Sequence, residues 1–153
     1  MEIERKFLVT NNDWMSLARQ KHDILQFYLT TANHAPTIRL RLKDKSAFLT
    51  LKYPTQSADV LVRDEYEYEI PVDDFHSQKD QARGNIIQKT RYEVMDSNNQ
   101  LWEIDVFSSP NEGLVLAEIE LESANQDIIF PEWIGEEVTT DRSYSNIHMA
   151  FGH

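Results

Sequence analysis

The chain has 153 residues, 41% hydrophobic and 10% aromatic, which suits one domain over residues 1–153 with a substantial core and excludes a disordered acidic polymer. A formal net charge of −11 argues against nucleic acid as a partner, and the absence of cysteine excludes disulfides and thiolate metal sites. There is no N-terminal apolar region and no run near the ~18 apolar residues of a membrane span, so a soluble, cytoplasmic protein without membrane contact is expected.

Strand-like alternation begins at once, with Glu2, Glu4 and Lys6 on one face of the run to Val9. Asn12 could cap a short helix through Trp14, Leu17 and Ala18. A strand over 24–30 sets Gln26, Tyr28 and Thr30 opposite Leu25, Phe27 and Leu29. The next two strands, 37–42 and 48–53, carry Arg39 and Arg41, then Thr50 and Lys52, on their polar faces, and Asp44-Lys45-Ser46 reads as the hairpin between them. Glu65, Glu67 and Glu69 alternate with Tyr66, Tyr68 and Ile70, and Asp73 or Asp74 starts a helix running to Ala82. Lys89, Arg91 and Glu93 then oppose Thr90, Tyr92 and Val94. After a turn at Ser97 to Gln100, Glu103 and Asp105 oppose Trp102, Ile104 and Val106. The last strand reads from Leu114 to Glu122 and carries Glu118, Glu120 and Glu122, with short helices expected at 131–137 and 143–151. These elements describe an α+β protein, mostly antiparallel, with helices decorating a large sheet.

A flat sheet with its charged face in water would explain any single strand. The set as a whole fits that arrangement poorly, because like charges cluster strand by strand and like neighbours destabilise an open face. A closed sheet with a charged lumen brings opposite signs across the interior and turns the apolar faces outward, where helices must cover them. Six basic groups (Lys6, Arg39, Arg41, Lys52, Lys89, Arg91) then share the interior with ten acids (Glu2, Glu4, Glu65, Glu67, Glu69, Glu103, Asp105, Glu118, Glu120, Glu122). The basic set implies a small polyanion, and the excess of acids implies a divalent cation beside it. Oxygen-only ligands favour Mg²⁺ or Mn²⁺ over Zn²⁺. The five histidines lack metal-ligand spacing, and Trp14, Trp102 and Trp133 are expected to pack under helices.

The ordered series resembles the CYTH superfamily, the triphosphate tunnel metalloenzymes. It comprises Glu2-x-Glu4-x-Lys6, Arg39-x-Arg41, Leu49-Thr50-Leu51-Lys52, Arg63-x-Glu65-x-Glu67, Lys89-x-Arg91-Tyr92, Trp102 to Phe107, Ala117 to Leu121, and Val138-Thr139 to Tyr144-Ser145-Asn146. The resemblance implies a closed eight-stranded antiparallel β-barrel, a tunnel that binds a triphosphate with Mg²⁺ or Mn²⁺. By position it assigns phosphate binding to Lys6, Arg39, Arg41, Lys52, Lys89 and Arg91, and metal binding to Glu118 and Glu120. Glu2, Glu4 and Asp105 follow as further ligands or water-positioning groups, with Glu2, Glu4, Lys6 and Lys89 as the catalytic set. Guanidinium forks suit phosphate oxygens, and lysines supply mobile charge. Glu65, Glu67, Glu69, Glu103 and Glu122 have structural roles as good alternatives, and Tyr28 is better read as a packed barrel tyrosine than as a substrate contact.

The expected activity is metal-dependent hydrolysis of tripolyphosphate to pyrophosphate and phosphate. The alternatives are a class IV-type adenylate cyclase, a thiamine triphosphatase, or a non-catalytic polyphosphate-binding module. Apolar patches left on the barrel exterior would favour a homodimer.

Overall fold

The computed structural model describes residues 2–53 and 61–152, with backbone alone at Glu2 and at Leu61 to Arg63. The strands are β1 (Glu2–Val9), β2 (Ala18–Tyr28), β3 (Thr37–Lys43), β4 (Ser46–Tyr53), β5 (Leu61–Ile70), β6 (Arg83–Met95), β7 (Leu101–Ser109), β8 (Val115–Glu120) and β9 (Ile134–Glu137). Two short helices, α1 (Val72–Gln78) and α2 (Asn146–Ala150), accompany them. Neighbours run β5-β4-β3-β2-β6-β7-β8-β1-β9, all antiparallel.

A short pairing of β1 with β5, Glu2↔Arg63 through Glu4↔Leu61, brings the eight-strand circuit back to its start. β1 therefore serves two partners along one edge. Its first residues meet β5, and Phe7 and Val9 meet Glu137 and Ile134 of β9.

β9 corrects the sequence reading, which placed a helix at 131–137. The segment is too short to stabilise a helix by itself, whereas as a strand it gains a ladder and a packed anchor. Thr10 donates to the Trp133 carbonyl at 2.9 Å, and the Arg5 guanidinium lies 2.8 Å from Glu137. A side chain at Gly135 would crowd Thr10 at 2.9 Å, so glycine lets the two backbones approach. The helix expected from Asn12 shrinks to one 3-10 turn over Asp13–Leu17, and β2 begins at Ala18. The helix expected to reach Ala82 ends as α1 at Gln78, followed by a 3-10 turn.

The apolar faces do point outward, and the main core lies outside the barrel. Phe7, Trp14, Val94, Trp102, Ile104 and Trp133 form the largest cluster, with Trp102 packed edge-on against Phe7 and Trp133. Each such buried side chain contributes about 1.5–3 kcal/mol. The Trp102 indole donates to Asp96, which also accepts from Gln100 and so fixes the turn before β7. Phe75 of α1 covers Phe27, Leu40 and Ala47. Tyr66 and Tyr68, on the outer face of β5, stay about half exposed at 52% and 55%.

α2 packs elsewhere. Its Met149 and Ala150 meet Tyr28, Ile87, Phe107 and Leu116, which lie in register with lumenal Arg39, Gln26, Lys89 and Asp105. At this end the interior turns apolar and the helix fills it. Gly84 (φ +78°) permits the approach, since a side chain there would meet the Ala150 carbonyl. Ser145 caps α2 by accepting from the His148 amide.

At the opposite end, His22 of β2 bridges two carboxylates. Nδ1 lies 2.6 Å from Asp44 in the β3–β4 turn, and Nε2 lies 2.6 Å from Glu93 of β6. Hydrogen bonds to Glu93 and then Asp44 raise the His22 pKa, against burial and Lys43. A raised folded pKa means stability that is complete below the ordinary value of 6.5 and is lost as pH rises through the folded one. His22→Gln should therefore lower the melting temperature at about pH 5.5 and converge with wild type at about pH 9. Parallel pH profiles of Tm for the two proteins would refute the clamp.

Candidate active site

Inside the barrel lies a cavity of about 270 Å³. Its cationic lining is Lys6 from β1, Arg39 and Arg41 from β3, Lys52 from β4 and Arg91 from β6. Its acids are Glu4 from β1, Glu65 and Glu67 from β5, Glu103 from β7, and Glu118 and Glu120 from β8. The period-two alternation delivers all of them to one face, because successive strand side chains point to opposite sides. The C-terminal segment adds Ser145, Asn146 and Ile147, and the β2–β3 loop adds Ala32 and His34.

The deepest charges form one network. Lys89, with no exposed side-chain surface, lies 2.7 Å from Asp105 and donates to the Asn146 side-chain carbonyl at 3.2 Å. Arg91 closes a fork on Asp105 at 2.8 and 2.9 Å. Both Asp105 oxygens are thus engaged by cations. Burial alone would raise the Asp105 pKa, but Arg91 and Lys89 hold it far below the usual carboxylate range. Burial pulls Lys89 down to about 7, with Asp105 opposing and Arg91 and Arg41 assisting.

Lys6 sits 3.5 Å from Glu118 and donates to the Tyr144 carbonyl at 3.2 Å. Burial works against the Glu118 charge, yet Lys6, Arg91 and Lys89 bring its pKa to about 2. Glu4 lies opposite Glu120, and Lys6 opposite Glu118, across the β1–β8 ladder. Lys52 pairs with Glu65 at 2.9 Å. Arg39 donates to Thr50 at 3.3 Å, and its Nε is buried without a partner. Arg41 donates from Nε to Gln26 at 2.8 Å, and burial, then Arg39 and Arg91, lower its pKa to about 9.

The structure thus gathers Glu4, Lys6, Arg39, Arg41, Lys52, Arg91, Glu118 and Glu120 around one cavity, with Lys89 and Asp105 behind Arg91. The side chain of Glu2 lies outside the described residues, and so does that of Arg63. Glu69 and Glu122 are exposed and take no part in the lining, because Glu122 falls beyond the end of β8. Sequence reasoning gave no role to Gln26 or Asn146. Gln26 is fully buried, holds Arg41, and has an unpartnered Nε2.

Two buried donors without partners, in a lumen rich in guanidinium, suit an anion with many oxygens. For a cation the fit is of a particular kind. Among the described residues no three His, Asp or Glu side chains converge tightly enough to enclose a metal. Carboxylate oxygens on β1 and β8 share the wall with the lysine and arginine side chains, an arrangement that suits Mg²⁺ held by one or two carboxylates together with oxygens of a bound anion.

Comparison with known sequences agrees with this geometry. Residues 1–149 match the CYTH domain. The chain belongs to the CYTH domain family. An inorganic triphosphatase of Nitrosomonas europaea is 40% identical over 151 residues, covering 97% of this chain and 96% of the relative. An inorganic triphosphatase of Acetivibrio thermocellus is 36% identical over 149 residues, covering 97% and 92%. A crystal structure of an inorganic triphosphatase superposes with a TM-score of 0.74 at 36% identity, over all of this chain and 96% of the other. A Hippeastrum protein shares the CYTH fold at 15% identity, with a TM-score of 0.65 over 80% of each chain. No helix of the described residues is long and apolar enough to cross a membrane.

Proposed function

We propose that this CYTH protein is a metal-dependent inorganic triphosphatase that converts tripolyphosphate and water to pyrophosphate and phosphate. The observation that carries this reading is one cavity with five lysine and arginine side chains on its walls and the Glu4, Glu118 and Glu120 carboxylates on adjacent strands. The full-length similarity to two inorganic triphosphatases supports it.

Lys6, Arg39, Arg41, Lys52 and Arg91 bind and orient the phosphate chain, the guanidinium groups by paired hydrogen bonds. A divalent cation, Mg²⁺ or Mn²⁺, held by one or two of the Glu4, Glu118 and Glu120 carboxylates together with substrate oxygens, would neutralise part of the chain and polarise the phosphorus under attack. Water oxygen bonds to a terminal phosphorus, the bridging P–O bond breaks, and pyrophosphate leaves. Lys89 adjoins the cavity through its bond to Asn146, and the pKa of about 7 that burial gives it suits removal of the water's proton. Asp105 keeps Lys89 and Arg91 in place, a role its fully engaged oxygens serve better than metal ligation. Glu2 stays a candidate ligand through its place on β1 beside Glu4.

The test compares phosphate release from tripolyphosphate, ATP and thiamine triphosphate with Mg²⁺, Mn²⁺ or EDTA, scoring ATP reactions for cyclic AMP. Metal-dependent release from tripolyphosphate, far above the other two, is expected. Cyclic AMP with pyrophosphate would assign a cyclase instead. Within this reading Arg41→Ala should raise KM about tenfold or more with a smaller change in kcat, since it removes a half-buried fork for phosphate. Unchanged KM and kcat would place Arg41 outside the site.

A further inference from the structure

We propose that Asn146 is a positioning and substrate-binding residue, whose side-chain carbonyl orients Lys89 while its amide nitrogen donates to the phosphate chain. The inference rests on the triphosphatase reading and assigns part of that site to the C-terminal segment.

A lysine ammonium has three donors. On Lys89 one goes to Asp105 at 2.7 Å and a second to Asn146 Oδ1 at 3.2 Å. With two directions fixed from β7 and from the start of α2, the third is fixed as well. Asp105 alone would leave the head group free to turn about the Nζ–Oδ2 line. Asn146 supplies the second point of attachment, and as a neutral acceptor it does so without adding to the negative charge already present.

The amide is planar, so setting its oxygen sets its nitrogen. Oxygen must face the ammonium, because the NH₂ group has no lone pair to offer it. The Nδ2 group is thereby turned away from Lys89 on a side chain that lines the cavity. No hydrogen bond from Nδ2 is found among the described residues, and the group is not one of the buried polar atoms left unpaired. It is a neutral donor in a wall otherwise dominated by charges.

The backbone holds this amide in place. Ser145 caps α2 directly before it, Lys6 donates to the Tyr144 carbonyl directly before that, and Met149 anchors the helix among Tyr28 and Phe107. Lys6 of β1 and Lys89 of β6 thus both bond the same stretch of chain.

Two substitutions separate the roles. Asn146→Asp keeps an acceptor for Lys89 but turns a charged oxygen toward phosphate. Asn146→Leu keeps the branched outline of the side chain and removes both functions. Steady-state kinetics on tripolyphosphate with Mg²⁺ are measured beside calorimetric titration of tripolyphosphate in EDTA and thermal melts.

Asn146→Asp should raise KM and weaken metal-free binding about thirtyfold while kcat stays within about fivefold of wild type. Asn146→Leu should lower kcat about thirtyfold or more, with a smaller effect on KM. A merely structural residue gives no such split. Losses that follow the fall in Tm equally in both variants, or wild-type behaviour in both, would overturn the inference. Should the wild-type chain bind tripolyphosphate without hydrolysing it, the triphosphatase reading falls, and the calorimetry alone decides. Weaker binding by Asn146→Leu as well as by Asn146→Asp than by wild type then upholds the donor role, and wild-type binding by Asn146→Leu refutes it.

Discussion

Asp105→Ala should cost about 3–5 kcal/mol of folding stability, measured by chemical denaturation in the absence of divalent metal. Asp105 is 2% exposed and lies between two cations, at 2.7 Å from Lys89 and 2.8 Å from Arg91. Removing it leaves an ammonium and a guanidinium buried together, with Arg41 near enough to depress the Lys89 pKa further. Lys89 then sheds its proton, which limits the damage, but Arg91 cannot. Most of the loss therefore belongs to Arg91, and Asp105→Ala combined with Arg91→Met should recover part of it. The depressed Asp105 pKa fixes the sign of the pH dependence. Its contribution is complete above the ordinary carboxylate value of 3.8 and is lost only as pH falls toward the folded one. Because Lys89 loses its proton at lower pH in the variant, the gap between the two proteins should narrow as pH rises toward about 7 and stay constant above it. If Asp105 were chiefly a metal ligand, the variant would match wild type in metal-free buffer and fall behind only when metal is added.

This network shows where sequence is informative and where it stops. The inward placement of Lys6, Arg39, Arg41, Lys89, Arg91 and Glu118 was legible because strand alternation has a period of two, and one inward residue fixes the rest. Which acid meets which base was not. The pairing of Lys89 and Arg91 on one carboxylate depends on the β6–β7 register, with its irregularity between Gln88 and Lys89. No local composition announces that irregularity.

The strand read from alternation began at Ile24, yet β2 starts at Ala18, because β6 supplies a partner for Arg19 to Asp23. β9 was hidden for the same reason. Its four residues lack alternation and gain their conformation from the edge of β1 that β5 leaves free. Gln26 and Asn146 went unassigned because neutral amides carry no charge pattern. A glutamine on a polar strand face, or an asparagine at a helix start, is what an ordinary surface or cap would also contain. Only the three-dimensional neighbours, Arg41 for one and Lys89 for the other, separate these two from the common case.

Glu4→Gln and Glu120→Gln should each reduce metal-dependent turnover of tripolyphosphate about a thousandfold, the equivalent of several kcal/mol of transition-state charge stabilisation. Far-UV circular dichroism should not change, because both side chains line the cavity and the strands beneath them are held by backbone ladders. The two residues face each other across β1 and β8, so they act on one place. The informative readout is the affinity for tripolyphosphate in EDTA. Each substitution removes a negative charge from a lumen that must admit a polyanion, so metal-free binding should strengthen by a few-fold while catalysis collapses. Glutamates that served only to position neighbouring cations would give the opposite sign, since losing them would disorder the phosphate-binding groups and weaken binding. Glu118→Gln is the stricter case. With a pKa of about 2, Glu118 is charged at every working pH and lies 3.5 Å from Lys6. Its loss should free Lys6 for phosphate and so strengthen metal-free binding the most. Tripolyphosphate affinities that fall in all three variants would assign these acids to the scaffold and remove the basis for placing a cation among them.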